Sequence, residues 1–213
     1  MTQEYPWYDV VPKTEKLEQG DFIDSCEVFI PSYTSHNVAT MVSADTQEIY
    51  AKGVLRTYDV VIISQSCTLE NREPDEDDHV LVCPRRAYSE YVNTFLAKDQ
   101  DTKTQEQIMK AIHANLEQIR LGRSYQYCLL NECKGLDLTC EIQVVDLGTV
   151  FSISYGVIQL MAQSGGQRLR LLSPYVEHLA QAFAYYYMRV ALPKPIPSFR
   201  KPKVKEQVSI KPD

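Results

Sequence analysis

Residues Asp59–Glu70 read Asp-Val-Val-Ile-Ile-Ser-Gln-Ser-Cys-Thr-Leu-Glu. Val60 to Ile63 are four consecutive β-branched residues with no polar position among them. They predict a strand covered on both faces, so a chain containing them must place material on either side of a sheet. The strand then runs into Ser64, Gln65, Ser66, Cys67 and Thr68, five small or hydrogen-bonding groups. A strand end fixes a polar tip in space, which is why folds put binding and catalytic groups there. This turn is the first candidate site.

The chain has 213 residues, 44% of them hydrophobic and 23% charged, enough for one large domain of ordinary globular composition. No run of about 18 apolar residues occurs, so no membrane-spanning helix and no membrane partner are expected. The N-terminal stretch from Met1 to Tyr8 lacks the basic and apolar regions of a secretion signal, which predicts the cytoplasm. The net charge of −6 is uneven. Lys194 to Asp213 carry +4 and the preceding 193 residues −10. An acidic body is a poor platform for nucleic acid, whose affinity comes largely from phosphate neutralisation.

Turn and periodicity signals divide the chain. A Gln19-Gly20-Asp21 turn leads a strand over Phe22–Ile30. Strands are also predicted over residues 47–55, 58–64 and 79–83, the last ending at Pro84. Residues 70–78 hold six acids and read as a surface loop. Helices follow at 86–96 and 104–121. In the second, Ile108, Ala111, Ile112, Leu116 and Ile119 recur at three- and four-residue spacing, Thr102 or Thr104 can cap the start, and Gly122 follows the end. Strands return at 125–130, 139–147 and 150–154, then a short helix at 155–163 and a strand at 168–172. Ser173-Pro174 opens a final helix to about Ala191, with serine as cap and proline in the first turn. The expected architecture is α+β. It comprises an antiparallel β-barrel, curled and partly closed, with helices inserted at about 86–122 and the C-terminal helix packed against it. Residues 1–193 form one domain and 194–213 a flexible basic tail.

Two stretches resemble known families. The Gly20-Asp21 turn, the strand after it and the Val60–Cys67 segment resemble the start of the PemK/MazF-like barrel, an SH3-like fold. Arg56 stands where that group has a basic residue before an apolar strand, with Thr57 in place of the usual proline. The segment from Arg168 to Ala184, closed by Met188-Arg-Val-Ala-Leu-Pro, resembles an uncharacterised bacterial family. That family pairs a Gly-Asp barrel start and a Ser-Gln-Ser-Cys-Asp-Leu strand end with this helix, and Leu136–Ile153 resembles it as well. Thr68 replaces the family's aspartate, and no activity comes with the resemblance. In size and solubility the chain is also similar to an accessory protein of the type III-E CRISPR system, where a caspase-like protease acts beside a sigma factor.

Cys67 is the candidate nucleophile of a cysteine-dependent hydrolase, which would need a base among His36, His79, His113 and His178. Against this, a buried thiol capping the strand is expected, with Ser64, Gln65 and Ser66 satisfying backbone groups at the strand end. The PemK/MazF resemblance implies an endoribonuclease using Arg56 to steady phosphate charge and Thr57 or Ser66 as hydroxyl, with RNA as partner. His178 and Arg189 lie eleven residues apart on the final helix, about three turns and so on one face. They read as structural anchors. The six cysteines (Cys26, Cys67, Cys83, Cys128, Cys133, Cys140) lack zinc-ligand spacing and read as reduced. The acidic loop lacks the alternating ligands and glycine of a calcium loop. No metal or cofactor is expected. Tyr185, Tyr186 and Tyr187 cannot all face one core, so Tyr185 and Tyr187, with Asp75, Asp77 and Asp78 of the acidic loop, are the candidate partner-binding residues. The expected function is that of a non-catalytic interaction protein in a bacterial regulatory, antiviral defence or stress-response locus. The ribonuclease and hydrolase readings stand as alternatives.

Overall fold

The structure, a computed structural model, describes residues 5–32, 53–70, 78–99 and 104–188. Within them the chain forms β1 (Tyr8–Val11), β2 (Phe22–Pro31), β3 (Gly53–Ile62), α1 (Ser66–Glu70), β4 (His79–Ala87), α2 (Tyr88–Asp99) and α3 (Gln105–Arg120). It continues through β5 (Tyr127–Leu130), β6 (Gln143–Asp146), β7 (Phe151–Ser154), α4 (Tyr155–Gly165), β8 (Arg168–Leu171) and α5 (Tyr175–Tyr187). Every strand pairing is antiparallel.

The larger sheet has the order β2-β3-β4-β6-β5, with β7 also on β4. Val82 of β4 pairs with Ile62 on one side and Phe151 on the other. Beyond it, Arg85–Ala87 pair with β6, so β6 and β7 act as one interrupted strand along the same edge. Pro84 falls where that strand is interrupted, and β4 therefore runs through it to Ala87 instead of ending there. Proline is tolerated at such irregular points. From Gly53 onward β3 likewise runs without the break expected at 56–57, while residues 47–52 of the first expected strand lie outside the described residues. Arg56 and Thr57 pair with Val28 and Glu27, and exposed polar side chains do not interrupt a ladder made by backbone groups. The pairing shifts between Ile23 and Cys26, a bulge where Ser25 takes φ 53° and donates its N–H to Asp59 Oδ1 at 2.9 Å.

β1 and β8 form a second, two-stranded sheet. It joins the first through residues 20 and 21. Leu171 N donates to Gly20 O, Gly20 N to Ile62 O, and Ile62 N to Asp21 O, all at 2.9–3.0 Å. On the far side, Tyr8 Oη donates to Asn131 O at 2.7 Å. The expected mix of helices with antiparallel strands is present, and where a curled, partly closed barrel was expected the described residues form two antiparallel sheets that do not make a closed barrel. The physical reason is that a short bridge and side-chain bonds join the sheets where a barrel needs a continuous ladder.

Val61 and Ile63 face a core shared with Phe22, Cys83, Leu171 and Leu179 of α5, while Val60 and Ile62 face one shared with Val80, Val82, Ile158 and Ala162 beneath α4. Alternate residues of one apolar run thus serve opposite faces, which is why the run has no polar member. α2 and α3 lie between β4 and β5 and pack through Val92, Ile108 and Ile112. α3 starts with a capping box in which Thr104 and Gln107 satisfy each other's backbone N–H groups. α5 starts differently from expectation: Pro174 is its N-cap and no side chain caps it. Leu172 O accepts from Tyr175 N and Val176 N, and Pro174 O from His178 N, so backbone carbonyls take the first donors. No helix among the described residues is long and apolar enough to cross a membrane.

Candidate functional site

The turn after β3 is built from reciprocal hydrogen bonds. Ile63 N and Ser64 N both donate to Leu81 O, and Ser64 Oγ accepts Leu81 N at 2.9 Å. Ser66 Oγ accepts Gln19 N at 3.1 Å, and Gln19 Nε2 donates to Ile63 O at 2.7 Å. Gln65 O accepts from Thr68 N and Leu69 N as α1 begins. Leu69 is the buried residue of α1, so Cys67 and Thr68 point outward. The buried thiol expected at Cys67 is therefore corrected. Cys67 is exposed, with Sγ donating to Gln65 Oε1 at 3.7 Å.

Cys67 opens on a cleft of about 540 Å³ shared with Gln19, Ser66, Arg170, Val176 and Glu177. Beneath it lies a buried ionic cluster. Asp21 is 0% exposed. Its Oδ2 accepts Arg168 Nε at 2.8 Å, its Oδ1 accepts Arg170 Nε at 2.5 Å, and Oδ2 also takes Arg170 Nη2 and Glu18 N. Arg168 further donates to Pro12 O, Glu15 O and Lys16 O, and Arg170 to Lys16 O and Glu18 Oε1. Burial pulls the Arg170 pKa down, but its hydrogen bonds and ion pairs with Asp21 and Glu18 outweigh that and leave it above the ordinary value. The cluster is neutral as two arginines against two carboxylates, so the cleft floor offers a balanced charge set.

A second concavity, about 640 Å³, runs between α5, β5 and the end of α3. Its α5 wall is His178, Gln181, Ala182 and Tyr185, spaced i, i+3, i+4, i+7 and hence one helical stripe. Tyr127, Leu130 and Trp7 line the other sides. Trp7 is held by stacking on Tyr175, with centroids 3.6 Å apart and planes 9° from parallel. Tyr185 is 56% exposed, which leaves its ring available at the rim.

The sequence-predicted site residues are dispersed. His178 is exposed and belongs to the groove wall, while Leu179, fully buried, carries the packing of α5. Arg189, Asp75, Asp77, His36 and the basic tail lie outside the described residues. Asp78 uses its carbonyl to accept Tyr155 N at 2.7 Å. Tyr187, also exposed, sits off the groove stripe against Phe183 and Tyr186. Arg56 is exposed on β3, and adjacent residues of a strand point to opposite faces, so Thr57 points away from it. Ser66 lies beyond Ile62, six residues along β3 from Arg56, or about 20 Å at about 3.3 Å per residue. Neither hydroxyl meets Arg56. The remaining described histidines are placed elsewhere: His79 Nδ1 bonds with Ser152 Oγ and His113 Nε2 with Tyr88 Oη, both at 3.0 Å.

Sequence reasoning missed Arg85. It is buried over the Phe22 ring, 4.2 Å from the centroid. It donates to Val60 O at 3.3 Å and Gln143 Oε1 at 2.8 Å and pairs with Asp24. Burial lowers its pKa to about 10, against the pull of nearby Cys140 and Tyr8. Arg85 follows Pro84, where the expected strand ended, so no local pattern marked it as buried. Comparison with models of known protein families, with curated proteins and with solved structures returns no match.

Proposed function

We propose that the chain is a non-catalytic interaction protein that receives apolar side chains of a partner protein in the groove between α5 and β5. The observation that carries this reading is the stripe His178–Gln181–Ala182–Tyr185 facing Tyr127, Leu130 and Trp7. Aromatic rings with an apolar body and a polar tip are the usual anchors of protein interfaces. A concavity walled by one helix face and a strand suits a segment carrying aliphatic anchors at its own helical or strand spacing. The resemblance of the C-terminal helix motif sets the expectation that this partner is encoded nearby, in a bacterial defence or stress-response locus such as a CRISPR-associated one.

The experiment is purification of tagged chain from the cells that make it. Wild type and Cys67→Ala should retain the same partner, while Tyr185→Ser, at an exposed rim position, and Ala182→Arg should lose it. Recovery of free chain alone, or of the same proteins with every variant, would overturn the reading.

A further inference from the structure

The connection between β5 and β6 folds back on itself at one point. Cys133 N donates to Cys140 O at 2.9 Å and Cys140 N to Cys133 O at 3.2 Å, an isolated antiparallel bridge. Residues that exchange both bonds stand directly opposite, with Cα atoms about 5.5 Å apart, and their side chains leave the same face. A disulfide spans Cα separations of about 4.4–6.8 Å, most often about 5.5–6 Å. The backbone pairing thus sets the two Cα atoms at the separation that bond requires, and both thiols are free. Both also pack with Tyr8 and Leu130. Cys133 is buried, with Sγ donating to Leu138 O at 3.4 Å, and Cys140 is half-buried.

We propose that Cys133 and Cys140 form a reversible intrachain disulfide, a redox-controlled staple across residues 134–139, with a small disulfide of the glutathione class as oxidant. Cys140, the more exposed residue of the pair, reacts first. Its thiolate attacks one sulfur of oxidised glutathione, the S–S bond breaks, and one glutathione thiolate leaves and takes up a proton. Cys133 then gives up its proton and attacks Cys140 Sγ, expelling the second glutathione. Two cysteine thiols are oxidised by two electrons, and one external disulfide is reduced to two thiols. Burial pushes both thiols up; at Cys140 this is opposed by the Cys133 backbone N–H, Arg85 and the Tyr8 hydroxyl. Closure is therefore slow near neutrality and quickens as pH rises. The staple ties down the strand end carrying Asn131, which lines the groove and whose carbonyl holds Tyr8.

The test uses the full chain with Cys67→Ser, which removes the exposed thiol. It is equilibrated in mixtures of oxidised and reduced glutathione, quenched in acid, unfolded and alkylated. Two of the five remaining thiols should escape alkylation together, the chain before alkylation being lighter by two hydrogen atoms, and dithiothreitol should restore them. Trypsin cuts after Lys134, so the peptide bearing Cys128 and Cys133 and the peptide bearing Cys140 should then be joined only through sulfur, and fragmentation should place the bond on Cys133 with Cys128 alkylated. With Cys133→Ser in addition, glutathione should stay trapped on Cys140. Five alkylatable thiols even in fully oxidised glutathione, or a linkage to any other cysteine, would overturn the proposal.

Discussion

Asp21 shows how much a single carboxylate can organise. It has no exposure to water, and it gathers Arg168, Arg170 and the Glu18 N–H while those arginines hold the carbonyls of Pro12, Glu15 and Lys16. The lead-in to β2 is thereby fastened to β8. Removing one member of a buried charge set strands the others, at a cost of about 3–5 kcal/mol. Asp21→Asn should lower the urea midpoint by a corresponding amount without changing the slope of the transition. The preceding residue is nearly as constrained. Gly20 takes φ +88°, and a Cβ there would meet Leu171 Cβ at 2.9 Å. Gly20→Ala should cost at least about 1 kcal/mol in the same assay, since strain at positive φ adds to the collision. The Gly-Asp turn was legible as a motif. Its arginine partners were not, because they lie some 150 residues further along.

Among the elements, α3 was the most legible, since its period, its Thr104 cap and Gly122 lie within the helix or one turn of its ends. Thr104→Ala removes one bond of the capping box and should cost about 1 kcal/mol by thermal or urea unfolding. α5 was legible as a helix but not in its orientation. Its buried contact is Leu179, and Leu179→Ala should cost about 2–5 kcal/mol while leaving helix content by circular dichroism close to wild type at low temperature. The stripe at 178, 181, 182 and 185 carries a helical spacing that could have been read beforehand. Which side of the helix meets the core depends on β1, β5 and Trp7, and no local rule supplies that. β4 passing through Pro84 is a similar case, because the irregularity that accommodates the proline belongs to the junction of β6 and β7.

For the molecule as a whole, the thiols raised by burial, Cys26, Cys83, Cys128, Cys133 and Cys140, give a stability profile with a definite sign. Burial pushes Cys26 up to about 11 and Cys83 and Cys128 up to about 12. Once unfolded they titrate near about 8.5. Above that pH the unfolded chain binds fewer protons than the folded one, so stability falls as pH rises, while below it these groups contribute no slope. At full effect each such thiol gives about 1.4 kcal/mol per pH unit. The urea midpoint should therefore be level from about pH 7 to 8 and fall steeply from about pH 9 to 11, and Cys83→Ala should make that fall shallower. The order of residues alone settled that a strand at Val60–Ile63 must be buried on both faces, that a helix occupies about 104–121 and that the turn after Ile63 is rich in hydrogen bonds. Each of these depends on side-chain periodicity or on groups a few residues apart. Only the assembled molecule decided that the sheets do not close into a barrel, that Cys67 faces outward, and that Arg56 stands apart from Thr57 and Ser66. It also brought Asp21 to Arg168 and Arg170, and His178 and Tyr185 to one groove. Those outcomes turn on which distant segments meet, and that is set by the packing of two cores against a shared sheet rather than by any stretch of chain read locally.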